Sequence, residues 1–155
     1  MKKVLLLIAA FVTIGSFANA QNAIGVRLGG GQGFGAELSY QKGMGGNRLE
    51  LDLGWRNGNH FNAFNLTGIY QWTGNIAGNF GWYAGVGASL GYWNWENGHD
   101  GDGNIGIAID GQAGLEYNFQ AVPFQLSLDI RPKFQIIPNS EFHWGDIALG
   151  IRYRF

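Results

Sequence analysis

The chain has no cysteine, so its fold is held by neither a disulfide nor a lipidated cysteine. Charge is scarce as well: Asp, Glu, Lys and Arg make up 14% of 155 residues and nearly cancel, to a net charge of −1. That balance supplies no basic patch for nucleic acid, so no nucleic-acid partner is expected. Beyond residues 4–14 there is no long apolar run, and none approaches the ~20 residues that a membrane-crossing helix needs. What remains is unusual for a soluble surface and unlike a disordered tail: 27 glycines and 15% aromatic residues in a length that suits one domain.

The first twenty residues read as an export signal. Met1-Lys2-Lys3 is basic, residues 4–14 are apolar, and Ala18-Asn19-Ala20 fits the small-x-small pattern before a cleavage site. The expected organisation is a signal peptide over 1–20 and a single exported domain over 21–155.

From Gln21 onward, eight segments alternate apolar residues with polar or small ones, the period of a strand with two unlike faces. Gly, Asn and Pro separate them. Leu49, Leu51, Leu53 and Trp55 alternate with Arg48, Glu50, Asp52, Gly54 and Arg56; Phe124, Leu126, Leu128 and Ile130 alternate with Gln125, Ser127, Asp129 and Arg131. In the fourth segment Ile69 interrupts the polar face. The turns are placed at 42–47, 57–60, 73–79, 93–104, 120–123 and 138–143, and the last strand at 146–155. Eight antiparallel strands in up-and-down order, closed into a barrel, bring both termini to one side.

Alternation alone does not say which face looks inward, but three features do. The polar faces carry seven bases, Arg27, Arg48, Arg56, Arg131, Lys133, Arg152 and Arg154, and seven acids, Glu37, Glu50, Asp52, Asp110, Glu116, Asp129 and Asp146. Such a balanced set suits a closed, internally paired lumen, because unpaired buried charge is costly. Aromatics of the apolar face collect at strand ends: Phe34, Trp55, Phe64, Tyr92 and Phe134 at one, Tyr40, Tyr70, Trp72, Trp82, Tyr117, Phe124, Tyr153 and Phe155 at the other. Two girdles around an aliphatic band form the pattern of a lipid-facing barrel. Finally, a Lys or Arg turned to lipid costs ~2–4 kcal/mol near the midplane, which fixes the facing.

With the ending Gly150-Ile151-Arg152-Tyr153-Arg154-Phe155, these features resemble the small eight-stranded outer-membrane β-barrels of the OmpA/OmpX type, across the whole exported chain. The resemblance implies an all-β transmembrane barrel in the outer membrane, with N- and C-termini in the periplasm. It implies as surroundings and partners outer-membrane lipid, lipopolysaccharide, and the barrel-assembly machinery, which would read Ile151, Tyr153 and Phe155. No cofactor is implied.

An eight-stranded barrel has an interior just wide enough for side chains, so a diffusion pore is not expected. Arg27 and Glu37 should meet on the first hairpin. Lys133 and Asp146 should lie near the outer end of the last two strands, with Asp129 and Arg152 lower on the same pair. Gly85, Gly87, Ser89 and Gly91 leave room along the fifth strand, for Tyr83, for long arginines, or for a small pocket.

His60, His99 and His143 fall in outward loops, near Glu96, Asp100, Asp102 and Glu141. Some outer-membrane barrels modify lipid A with a His and a Ser or acidic partner, since a base must activate a hydroxyl or water at the rim. Ser140 is the one serine in these loops, and a deacylase-type His-x-Ser-Asn motif is absent, so the expectation is not an enzyme; lipid modification is the alternative, followed by small-molecule binding or transport. Asp100-Gly101-Asp102-Gly103-Asn104 alternates oxygen ligands, but Ile105 stands where a calcium loop needs glycine. It reads as an acidic turn. Trp93 and Trp95 beside Glu96 suit interfacial anchoring or contact with an unknown surface ligand.

Overall fold

The computed structural model describes residues 22–29, 35–58, 61–95 and 104–155. They form eight strands: β1 Asn22–Gly29, β2 Gly35–Met44, β3 Asn47–Gly58, β4 Phe61–Ala77, β5 Phe80–Trp95, β6 Asn104–Asn118, β7 Phe124–Ile137 and β8 Glu141–Arg154. Each pairs antiparallel with its sequence neighbour, and β1 pairs with β8 to close the barrel. Closure leaves no sheet edge open to another chain. Around the seam Ala23 lies opposite Arg154, Gly25 opposite Arg152 and Gly29 opposite Ala148.

The alternation seen in the sequence becomes two surfaces. Outward side chains are aliphatic along the middle of the wall, with Leu38, Leu53, Leu66, Val86, Leu90, Leu115 and Leu128 all exposed. Inward side chains are polar: Arg27, Glu50, Asp52, Asp110, Asp129, Arg131 and Arg152 are buried. This inverts a water-soluble barrel, which would bury its leucines and expose its arginines.

Asn22, Phe155 and the three connections at 45–46, 78–79 and 119–123 share one end, here termed the terminal end. Aromatic pairs brace the outside of that end. Phe80 packs on Tyr117 and Tyr117 on Phe119, both at 4.8 Å between ring centres, and Phe124 meets Tyr153 edge-on at 5.7 Å. At the opposite end Trp55, Phe64 and Tyr92 are outward neighbours on three adjacent strands. Phe34 of the expected outer girdle lies outside the described residues.

Three boundaries differ from the sequence reading. Residues 73–77 are strand rather than turn: the ladder runs on through Thr73↔Tyr83 and Asn75↔Gly81, and the reversal comes at Gly78 and Asn79. Gly74 and Asn75 carry turn chemistry in a stretch that cross-strand hydrogen bonds nevertheless keep extended. β5 continues to Trp95 because Trp93 and Trp95 pair with Ala63 and Phe61. β8 starts at Glu141, five residues earlier than expected, since Glu141, Phe142 and His143 pair with Gln135, Phe134 and Lys133. His143 is therefore a strand residue, not a loop residue.

The β7–β8 ladder also carries a bulge. Arg131 faces Asp146 but Lys133 faces His143, so one residue more is accommodated on β8 than on β7. Pro132 lies between them without an N–H to donate. Gly145, at φ +87°, absorbs the extra residue in a conformation that costs glycine little.

Candidate functional site in the lumen

The inward face is a connected polar network centred on Glu50 of β3. Glu50 Oε2 accepts from Gln41 Nε2 at 2.5 Å and from Arg152 Nη2 at 3.1 Å; Oε1 accepts from Gln112 Nε2 and from Arg131 Nη2, each at 3.0 Å. Four donors from β2, β6, β7 and β8 thus converge on one carboxylate of β3. Arg152 is fully buried and uses its whole guanidinium: Nε donates to Ser39 Oγ at 2.9 Å, Nη1 to Ser127 Oγ at 2.7 Å, and Nη2 to Glu50.

Arg131 also pairs with Asp52 and, at 3.2 Å, with Glu37. Arg27 bridges Glu37 at 2.9 Å and Asp129 at 2.7 Å. Nearer the terminal end, Arg48 pairs with Glu116 at 2.6 Å and donates from Nε to Gln71 Oε1, whose amide in turn donates to Gln112. A buried charge is tolerated where such partners replace its water, and a chain of mutually polarising hydrogen bonds strengthens each link.

The room along β5 is filled by side chains. Tyr83 is buried, its hydroxyl donates to Asp129 Oδ2 at 2.9 Å, and Arg48 lies 4.7 Å from the centre of its ring. Ile69, also buried, packs beside Gly85. Glycine is required on the facing strand: a Cβ on Gly114 would stand 2.5 Å from Tyr83 Cζ.

The expected charge candidates sort as follows. Arg27 and Glu37 face each other on the first hairpin and bond. Asp129 and Arg152, expected low on strands seven and eight, do not bond to each other. Asp146 stands opposite Arg131 in the regular register of the ladder, and Lys133, beyond the bulge, reaches Asp110 on β6 at 3.6 Å. Asp129 bonds across to β1, and Arg152 to β3. Arg154 is half-buried at the terminal mouth. Arg56 and Asp146 belong to described strands, but their side chains lie outside the described residues, as do those of Trp93 and Trp95. Neutral members of the network, Gln41, Gln71, Gln112, Ser39 and Ser127, are not singled out by a search for charge; their signal was their position on the polar face.

His60, Glu96, His99, Asp100 and Asp102 lie outside the described residues. His143 is partly exposed, 3.7 Å from Glu141. Among the described residues no group of three or more His, Asp or Glu is placed to hold a metal ion. Of the terminal-strand candidates, Ile151 faces outward beside Val26 and Leu126, Tyr153 packs on Phe124, and the Phe155 N–H donates to Asn22 O at 2.9 Å.

A closed eight-stranded wall, apolar outside and charge-filled inside, is the fold of the small outer-membrane β-barrels of the OmpA/OmpX type. No protein-family model and no curated protein sequence matches the chain. Solved structures do. The chain is similar to Neisserial surface protein A, with TM-score 0.63 and 14% identity, covering 86% of this chain and 94% of that one. It is similar to the N-terminal β-barrel domain of Pseudomonas aeruginosa OprF, with TM-score 0.70 and 15% identity over 88% of this chain and 100% of that one. A de novo designed transmembrane β-barrel matches at TM-score 0.51 and 16% identity, over 90% and 98%. At these identities the likeness is one of fold.

Proposed function

We propose that the chain is an integral outer-membrane barrel with a closed lumen, and that its role is structural or that of a scaffold presenting loops at the cell surface. The observation that carries this reading is the inversion of the two faces: Leu128 is 53% exposed while Arg152, on the adjacent strand, is 0% exposed. Water would favour the opposite arrangement and lipid favours this one. The termini face the periplasm in this reading, Ile151, Tyr153 and Phe155 are presented to the barrel-assembly machinery during insertion, and lipopolysaccharide surrounds the opposite end. Residues 1–20 serve as the export signal.

Closure to solutes follows from the way the middle of the lumen is filled. Glu50, Arg131, Arg152, Gln41 and Gln112, all buried, meet there from five strands, which supports a lumen closed to solutes. A structural role stands ahead of lipid modification because, among the described residues, His143 is paired with an exposed Glu141 and no hydrogen bond brings the Ser140 hydroxyl to it.

The test combines three readouts. The protein should extract with outer membranes, migrate differently on gels before and after boiling, and show no steady conductance in planar bilayers. Recovery in the soluble periplasmic fraction would reject the membrane barrel, and steady channels would reject the closed lumen. Lipid A from cells with and without the gene should give the same mass spectrum; a missing or added acyl chain would favour the enzyme.

A further inference from the structure

The network that fills the middle of the lumen does not fill its terminal mouth. There the inward faces leave an open recess of about 140 Å³ lined by Asn22, Asn47, Arg48, Glu116, Gln125 and Arg154, among others. Its lining is mostly polar, with Ala23 and two glycines among it, and it sits where the ends of β1, β2, β3, β6, β7 and β8 come together.

Its charge is unbalanced. Among the described residues, the other inward-facing cations, Arg27, Arg48, Arg131, Lys133 and Arg152, each have an acidic partner, but Arg154 has none. The recess therefore holds two guanidinium groups and one carboxylate, Glu116. That carboxylate is already engaged on both oxygens. Oε2 lies 2.6 Å from Arg48 Nη1 in an ion pair and accepts from Gln125 Nε2 at 3.1 Å, and Oε1 accepts from Asn118 Nδ2 at 3.2 Å. No hydrogen bond or ion pair joins Glu116 to Arg154 among the described residues. Arg48 is itself only partly satisfied, since its buried Nη2 has no hydrogen-bond acceptor, and Gln125 Oε1 is buried with no donor.

From this surplus of donors and positive charge we infer that the terminal mouth is a binding site for a small water-borne oxyanion, a phosphate or carboxylate group. Arg154 supplies the planar pair of N–H donors that suits either group. The Arg48–Glu116 pair forms the floor, and Gln125 Oε1 is an acceptor for a proton carried by a phosphate or a bridging water. The recess has room for such a group together with water molecules. The site opens at the end away from the long connection at 96–103, so the proposed orientation exposes it to periplasmic solutes. Lipid on the outer wall does not reach it.

The test uses the full barrel, purified in a non-ionic detergent free of phosphate headgroups, at ionic strength held constant with chloride. Sodium phosphate and sodium acetate are titrated separately while side-chain amide NMR signals of Gln125, Asn118 and Asn22 are followed. Saturable shifts are expected with at least one of the two anions; phosphate alone would mark a tetrahedral anion and acetate a carboxylate. Arg154→Gln should weaken the response by at least about five-fold, as a charged hydrogen-bond donor is lost, and Arg154→Lys should restore part of it. Lys42→Gln, which removes a nearby exposed charge outside the recess, should leave it unchanged. Heat-modifiable migration confirms that each variant is folded. Shifts no larger than those given by chloride, or equal losses in Arg154→Gln and Lys42→Gln, would overturn the site.

Discussion

Arg152 and Glu50 are 102 positions apart in sequence and meet across the lumen at 3.1 Å, with both side chains fully buried. The contact ties the closing strand β8 to β3 through the interior, independently of the β1–β8 seam. Removing one partner leaves a buried charge facing other charges, and costs on the order of 3–5 kcal/mol. Arg152→Met and Glu50→Gln should each destabilise the barrel by about that much in urea unfolding from lipid vesicles. A double-mutant cycle should show coupling above about 1 kcal/mol. Additive losses would mean the two residues act separately.

Tyr83 of β5 packs over Gly114 of β6, and its hydroxyl donates to Asp129. Tyr83→Phe keeps the ring and leaves an acceptor oxygen short of a partner, a loss of about 1–3 kcal/mol. Gly114→Val drives a side chain into the ring and should cost about 1–3 kcal/mol by overpacking. Combining Gly114→Val with Tyr83→Ala should recover part of the second loss. Unfolding midpoints of the three variants check this.

The assignment of faces predicts a penalty for charge on the outer wall of β7. Leu128→Arg places a base on the outer wall and should cost about 2–4 kcal/mol in a bilayer near the midplane. Insertion into vesicles should fall accordingly. In a water-soluble barrel with this surface the same change would be close to neutral.

Much of this architecture was legible in residues alone. Leucines at 49, 51 and 53 against Arg48, Glu50 and Asp52 specify two faces, and a short hairpin specifies that Arg27 faces Glu37. Contacts across the lumen were not legible, because they depend on barrel stagger and on a bulge. Gly145 and Pro132 mark that bulge, yet either residue alone is equally at home in a turn. It moves Lys133 from opposite Trp144 to opposite His143, and among the described residues its ion pair is with Asp110. Thr73 to Ala77 reads as turn chemistry because Gly74 and Asn75 have that preference locally, whereas pairing with Tyr83 and Gly81 decides the outcome. Strand propensity yields to the ladder in such a case.

The lumen pairs also predict a pattern of rescue. Among the described residues Lys133 has one acidic partner, Asp110, at 3.6 Å, while Arg131 has three, Glu37, Glu50 and Asp52. Lys133→Met leaves the fully buried Asp110 without its cation, so it should cost about 3–5 kcal/mol, as Arg131→Met should, and adding Asp110→Asn should recover part of the loss. Urea midpoints in the same vesicles provide the comparison.

The central claim is that the apolar wall faces lipid and the charged wall faces inward. Single tryptophans introduced at 125 to 130 of β7, in a background with the native tryptophans replaced, can be quenched with brominated lipid. The account predicts strong quenching at 126, 128 and 130 and little at 125, 127 and 129. Uniform quenching, no quenching, or the reverse alternation would contradict it.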